Sequence, residues 1–210
     1  MNRSERTLLV HLLGTLAGLA ASLPVAAAPF AFEITPSVGF RLFGEFEDPA
    51  TADSVDIDES AAFSLAFDIE FSADEAWQLF YSRQSTEVSD VNPALDLDVE
   101  YLQIGGVAEF PLEGNMFIPY AVGTVGAARF SPGGSLDDET KFAFTLGGGW
   151  KYYFNDHFGL RFEGRGYVSI FDSDSSVFCV SDQGAGTCLL RTSGSLVWQL
   201  EAQAGFTYRF

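Results

Sequence analysis

Arg161, Glu163 and Arg165 stand two residues apart. In an extended chain that spacing puts all three side chains on one face. A base–acid–base row of this kind can act in two ways. It can hold itself together as ion pairs in a closed interior, or it can line a path for ions. Arg41, Asp68, Glu70, Glu109, Lys151, Glu201 and Arg209 occupy the equivalent polar parity of other alternating segments, joined by Glu33, Glu45 and Lys141. That makes seven acids against six bases, a near balance. A buried charge without a partner costs several kcal/mol, so balance favours mutual pairing over a bare conduction path.

Catalytic chemistry is poorly supplied. His11 lies in the leader described below, which leaves His157 as the one remaining imidazole, and it sits in a short turn. A Ser or Asp without a base is a weak catalyst, so no catalytic residue and no enzyme activity are expected. Cys179 and Cys188 lie in one long connection. In an exported chain they are expected to pair as a disulfide, with no metal or redox role because no histidine is near. Acids crowd the long connections: Glu47, Asp48, Asp53, Asp56, Asp58 and Glu59 in the first, and Asp90, Asp96, Asp98, Asp137, Asp138, Glu139, Asp172, Asp174 and Asp182 in the others. They read as a solvated, repulsive surface, or as weak sites for divalent cations, though the first connection lacks the spacing of an EF-hand loop. No cofactor is expected.

The whole chain of 210 residues carries 11 Lys+Arg against 29 Asp+Glu, a net charge of −18. That excludes nucleic acid as a partner, because phosphate binding needs a basic stripe. With 47% apolar and 15% aromatic residues the chain is too hydrophobic to stay disordered. Residues 1–27 read as a signal peptide: Arg3 and Arg6 precede an apolar run that ends at Pro24, and Val25-Ala26-Ala27 offers small residues to the peptidase. An uncleaved anchor is the alternative. The domain proper is then 28–210.

Positioning the charged set falls to eight segments of period-two alternation. Phe32, Ile34, Pro36, Val38, Phe40 and Leu42 share one parity, with Glu33, Thr35, Ser37, Gly39 and Arg41 on the other. Phe63 to Phe71, Trp77 to Tyr81, Leu102 to Phe110, Phe142 to Phe154, Phe158 to Ile170 and Trp198 to Phe210 repeat the alternation. The segment from Phe117 to Phe130 is small and apolar on both parities, so its face stays open. Such alternation predicts strands. A soluble sandwich alternates too, but these segments run about 11 to 15 residues, longer than the roughly 5 to 6 of soluble strands and enough to cross a bilayer at a tilt. The count is even. Short turns near 72–75, 112–115 and 155–157 alternate with long connections, as in transmembrane barrels. An open edge cannot be satisfied in hydrocarbon, so a spanning sheet closes. The expected fold is an all-β, eight-stranded antiparallel up-and-down transmembrane barrel. Arg83 falls on the outward parity near its outer rim, to meet a lipopolysaccharide phosphate or to snorkel.

Pro119-Tyr120 opening a Gly/Ala-rich strand, Leu146-Gly147-Gly148-Gly149-Trp150-Lys151-Tyr152-Tyr153-Phe154, and Gly159-Leu160-Arg161-Phe162-Glu163-Gly164-Arg165 mark the chain. With these motifs it resembles the small OmpA/OmpX/OmpW-like outer membrane barrels of Gram-negative bacteria. The resemblance implies an outer membrane location among lipids and lipopolysaccharide, and insertion by the barrel-assembly machinery. It also implies that Phe206, Tyr208 and Phe210 form the signal read by that machinery. The expected role is a structural or surface-interaction protein with a charge-plugged lumen, acting as a monomer. A narrow channel or small-solute carrier of the OmpW-like kind is the alternative.

Overall fold

Alternation along the chain becomes eight long antiparallel strands in the computed structural model. It describes residues 31–43, 46–47, 54–55, 58–88, 95–114, 116–133, 138–171, 176–182, 185–191 and 196–210. The expected leader lies outside the described residues, as do Glu45 and the loop acids Asp48, Asp53, Asp56, Asp90, Asp137, Asp172 and Asp174. In chain order the strands are β1 (Phe32–Phe43), β2 (Phe46–Glu47), β3 (Ser54–Val55), β4 (Ser60–Glu70), β5 (Glu75–Val88), β6 (Leu95–Glu109), β7 (Phe117–Pro132), β8 (Glu139–Tyr153), β9 (Phe158–Ile170), β10 (Ser176–Asp182), β11 (Ala185–Arg191) and β12 (Leu196–Arg209). Eight of them close in the order β1-β12-β9-β8-β7-β6-β5-β4, and β4 pairs back onto β1. The pairs β2–β3 and β10–β11 are separate two-stranded ribbons inside two of the long connections.

The strand registers set the width of the barrel. Following paired residues around the wall from Tyr208 leads through Ile34, Phe67, Leu79, Ile104, Val125, Phe144 and Val168 to Trp198. The path returns to β12 ten residues from where it left. Eight strands with this stagger tilt by roughly 35–45° and enclose an interior just wide enough for side chains. Each step in that direction also climbs from the short-turn end toward the long-connection end.

Burial follows parity. Phe63, Trp77, Leu79, Leu102, Ile104, Leu146 and Trp150 point outward and are exposed, which in water would be a large apolar patch and in lipid is the matching surface. Aromatic pairs ring the short-turn end: Phe71 with Trp77, Phe117 with Tyr152, Phe158 with Tyr208, and Phe32 with Phe210. Such girdles sit at the membrane–water boundary.

The structure settles the face of β7. Tyr120, Val122, Thr124, Ala128 and Phe130 are buried inward, while Val125 faces out. The Gly and Ala residues of this strand therefore split between lumen and lipid. β6 begins at Leu95, earlier than the alternation from Leu102 suggests. Above Leu102 the pattern inverts, with Leu97 and Val99 buried inside and Asp96, Asp98 and Glu100 outside. A strand that rises out of hydrocarbon into water keeps its parity and exchanges its polarity.

One seam is imperfect. Phe32 and Phe210 exchange both backbone hydrogen bonds, at 3.0 and 2.9 Å. Alternate residues of β1 should then bond to β12 in the same way. Pro36 falls on that series opposite Phe206 and has no N–H to give. The β1–β12 register accordingly passes from Ile34↔Tyr208 to Ser37↔Gly205 with no paired residues between.

Candidate functional site

The lumen holds the charged set in three tiers. Nearest the short turns, Lys151 Nζ donates to Glu33 Oε2 and Glu109 Oε1, each at 2.6 Å. Tyr153 donates to Glu33, and Arg209 pairs with Glu70. These contacts tie β8 to β1 and β6 across the interior.

The middle tier is built on β9, because Arg161, Glu163 and Arg165 do share one inward face. Arg161 Nη1 bonds Asp68 Oδ2 at 2.8 Å and its Nη2 bonds Glu163 Oε2 at 2.6 Å. Arg165 pairs with the other oxygen of Glu163 and donates to Gln78 Oε1 at 2.6 Å. Tyr120 OH donates to Glu163 Oε2 at 2.5 Å and accepts from Arg161 Nε at 2.8 Å. Gln203 Nε2 donates to Glu163 Oε1 at 2.7 Å, and Gln78 Nε2 to Asp68 Oδ1 at 2.7 Å. The Arg165 guanidinium lies 3.7 Å from the centre of the Phe80 ring, which covers its remaining face. Glu163 thus joins side chains from β4, β5, β7, β9 and β12 directly or through one partner.

In the third tier Arg41 Nη2 bonds Glu201 Oε2 at 2.7 Å, and Tyr167 OH donates to the same oxygen at 2.6 Å. The Arg41 guanidinium also packs against the adjoining rings of Tyr101 and Tyr167, at 5.1 and 4.6 Å from their centres. Gly39 makes the room: a Cβ there would lie 2.6 Å from Glu201 Oε1. Beside this tier Gln103 Oε1 accepts from Thr124 and Thr145 at 2.9 and 2.8 Å. Toward the outer mouth the interior turns apolar, with Leu97, Val99, Phe130, Phe171 and Val197 buried together. Lys141 sits there with Glu139 at 3.0 Å and faces the Phe171 ring.

The structure therefore brings Arg41, Asp68, Glu70, Glu109, Lys151, Arg161, Glu163, Arg165, Glu201 and Arg209 into paired contacts in one lumen. Counting charges alone overlooked their neutral partners. Tyr101, Tyr120, Tyr167, Gln78, Gln203 and Ser82 stand on the inward parity, and their polar tips on a buried face were the available signal.

Phe206 and Tyr208 on β12 and Phe210 just past its end line up outward, with Tyr208 and Phe210 stacked at 5.8 Å. His157 lies at the short-turn end, its Nδ1 3.0 Å from the Arg209 carbonyl oxygen. The β10–β11 register puts Cys179 directly opposite Cys188; their side chains lie outside the described residues. Among the described residues no group of three or more His, Cys, Asp or Glu side chains is arranged to hold a metal ion.

Solved structures share the architecture at low identity. Neisserial surface protein A is 14% identical with a TM-score of 0.58, over 86% of this chain and 99% of that one. Ail of Yersinia pestis, solved with the heparin analogue sucrose octasulfate, is 16% identical with a TM-score of 0.47 over 86% and 99%. The N-terminal barrel domain of Pseudomonas aeruginosa OprF is 13% identical with a TM-score of 0.46 over 85% and 97%. No curated protein sequence matches significantly. The sequence profile of the outer membrane protein beta-barrel domain matches residues 13–210. A closed eight-stranded wall with an apolar exterior and this match agree: the chain belongs to the outer membrane protein beta-barrel domain family and resides in the outer membrane of a Gram-negative bacterium.

Proposed function

We propose that this protein is a non-enzymatic outer membrane barrel whose lumen is closed by its own side chains, serving a structural or surface-interaction role through its acidic outer connections. The observation that carries this reading is the Glu163 cluster, which spans the interior with charge balanced against charge and is backed by an apolar layer toward the outer mouth. Filling of this kind is the ordinary state of an eight-stranded barrel. Planar-bilayer recording of the purified protein tests it. No steady conductance is expected. Frequent openings that survive neutralising the loop acids would overturn the closed-lumen reading.

A second reading, a narrow channel or small-solute carrier, draws on a different observation. Arg41 Nη1, Gln84 Oε1, Gln103 Nε2, Arg165 Nη1, Gln199 Nε2 and Glu201 Oε1 are buried without a protein partner. Groups like these call for water. Water threaded through the outer half of the lumen would favour passage of small polar species, and the same recordings decide between the two.

Four further assignments belong to this proposal. Residues 1–27 act as a cleaved signal peptide. Cys179 and Cys188, opposite each other in a ribbon closed by the Asp182↔Ala185 pair, form a disulfide that braces the last outer connection. The aromatic face ending at Phe210 is the signal for the assembly machinery, and the protein works as a monomer. Replacing Phe210 with Ser is expected to lower the outer membrane level and leave unfolded chain in the periplasm, read by fractionation and blotting. Wild-type amounts in the outer membrane would remove that role from Phe210.

A further inference from the structure

The apolar exterior ends early on three adjacent strands. Going toward the outer mouth, the lipid-facing residues of β5 run Trp77, Leu79, Tyr81 and then Arg83. On β6 they run Ile104, Leu102 and then Glu100; on β7, Val125, Ala127 and then Arg129. Arg83, Glu100 and Arg129 are consecutive register partners, so they form one row across the wall. Neither arginine lies inside the barrel: both side chains are 53% exposed.

They are nonetheless ordered. Arg83 Nη2 bonds Asp98 Oδ2 at 2.8 Å. Arg129 Nη2 bonds Asp138 Oδ2 at 2.5 Å, and its Nη1 lies 3.6 Å from Glu100 Oε2. Tyr81 OH donates to Glu100 Oε1 at 2.6 Å, which fixes the carboxylate between the arginines. Exposed arginines on the lipid-facing side need a reason beyond stability, because exposed ion pairs contribute little. In a chain of net charge −18 most of the other bases are engaged inside the barrel.

We propose that the Arg83–Glu100–Arg129 row is a docking site for a phosphorylated lipid headgroup of the outer leaflet. The row sits where acyl-chain contacts give way to water, which is the depth of a headgroup phosphate. Arg83 is held by one carboxylate and Arg129 by two, the second at 3.6 Å, yet both side chains stay half exposed, and the exposed part of a planar fork suits phosphate oxygens. The two arginines flank a single strand, so neighbouring strand spacing sets them roughly 10 Å apart at the backbone, a separation that favours a headgroup with two phosphates over one with one. Three carboxylates stand with the two arginines in this patch, so the test below supplies Mg²⁺ together with the lipid.

Bis-phosphorylated lipid A is the probe. The folded full chain is placed in phosphatidylcholine vesicles containing lipid A and Mg²⁺, extracted into mild detergent, and its retained lipid A is measured by native mass spectrometry. The wild type is expected to retain lipid A and to lose it when the lipid is dephosphorylated. Replacing Arg83 and Arg129 together with Gln should lower retention by roughly tenfold or more, since two charge-assisted contacts are removed. The double Lys variant keeps the charges and should retain most of the lipid, which separates loss of the site from loss of the fold. Heat-modified gel mobility confirms that each variant is folded. Equal retention by the Gln variant, equal retention of dephosphorylated lipid A, or displacement by inorganic phosphate at matching concentration would each overturn the proposal.

Discussion

Glu163→Ala is expected to cost the barrel more than any other single charge removal. The substitution leaves Arg165 buried with only the Gln78 carbonyl and the Phe80 ring, and leaves Arg161 with Asp68 alone among acids. Breaking a buried pair by removing one partner costs about 3 to 5 kcal/mol, because an uncompensated charge remains. Arg165→Ala should cost less, since Glu163 keeps Arg161, Tyr120 and Gln203. Glu163→Gln should fall between, with its shape kept and its charge lost. Arg83→Ala, on the exposed face, should leave melting unchanged. The temperature at which folded mobility is lost in detergent gives the ranking. Equal melting of Glu163→Ala and Arg83→Ala would mean that water, not ion pairing, satisfies the lumen.

Gly149→Ala is expected to block folding or lower its yield severely. Gly149 faces inward opposite Glu163 in the β8–β9 register. A Cβ there would sit 1.8 Å from the Phe162 carbonyl oxygen, a backbone atom that cannot move without breaking the ladder. Overpacking ordinarily costs about 1–3 kcal/mol when side chains can give way, and here none can. Gly164→Ala is the control, because its added methyl would meet nothing nearer than 3.9 Å. Refolding into detergent micelles, followed by gel mobility, reads both. Normal refolding of Gly149→Ala would mean that the wall bends more freely at this position than its close contact implies.

Much of this architecture is legible in the chain because hydrocarbon and lumen impose opposite demands at every second residue. β1 shows it plainly: Phe40 and Leu42 must meet lipid while Arg41 between them must meet Glu201. Parity therefore assigns inward and outward without any knowledge of partners. β7 defeats the same logic, since glycine, alanine and valine suit both environments. Its face is decided by Tyr120 and Phe130, one reaching the Glu163 cluster and the other the apolar layer at the mouth. The beginning of β6 is obscured for another reason. Leu97 and Val99 turn inward there because the strand has left the membrane, so a search for outward apolar residues stops at Leu102. The pairs inside the Arg161–Glu163–Arg165 row were within reach from spacing, but which acid meets which base across the lumen was not, because that depends on strand stagger, and stagger leaves no mark on local periodicity.

The seam between β1 and β12 has a mechanical consequence. Where Pro36 interrupts the backbone ladder, cohesion passes to side chains: Thr35 and Thr207 hydroxyls meet at 2.9 Å inside the gap, and Arg41 grips Glu201 above it. A load tending to peel the last strand away would not travel along a uniform zipper. It would meet a weak point one hydrogen bond short, held by a hydroxyl clasp, and then an ionic rivet backed by two tyrosine rings. Rupture from the short-turn end would first have to break the Phe32–Phe210 bonds and the Arg209 ion pairs, and having passed the gap it would stop at Arg41, so the rivet sets how far the barrel can fray before it opens.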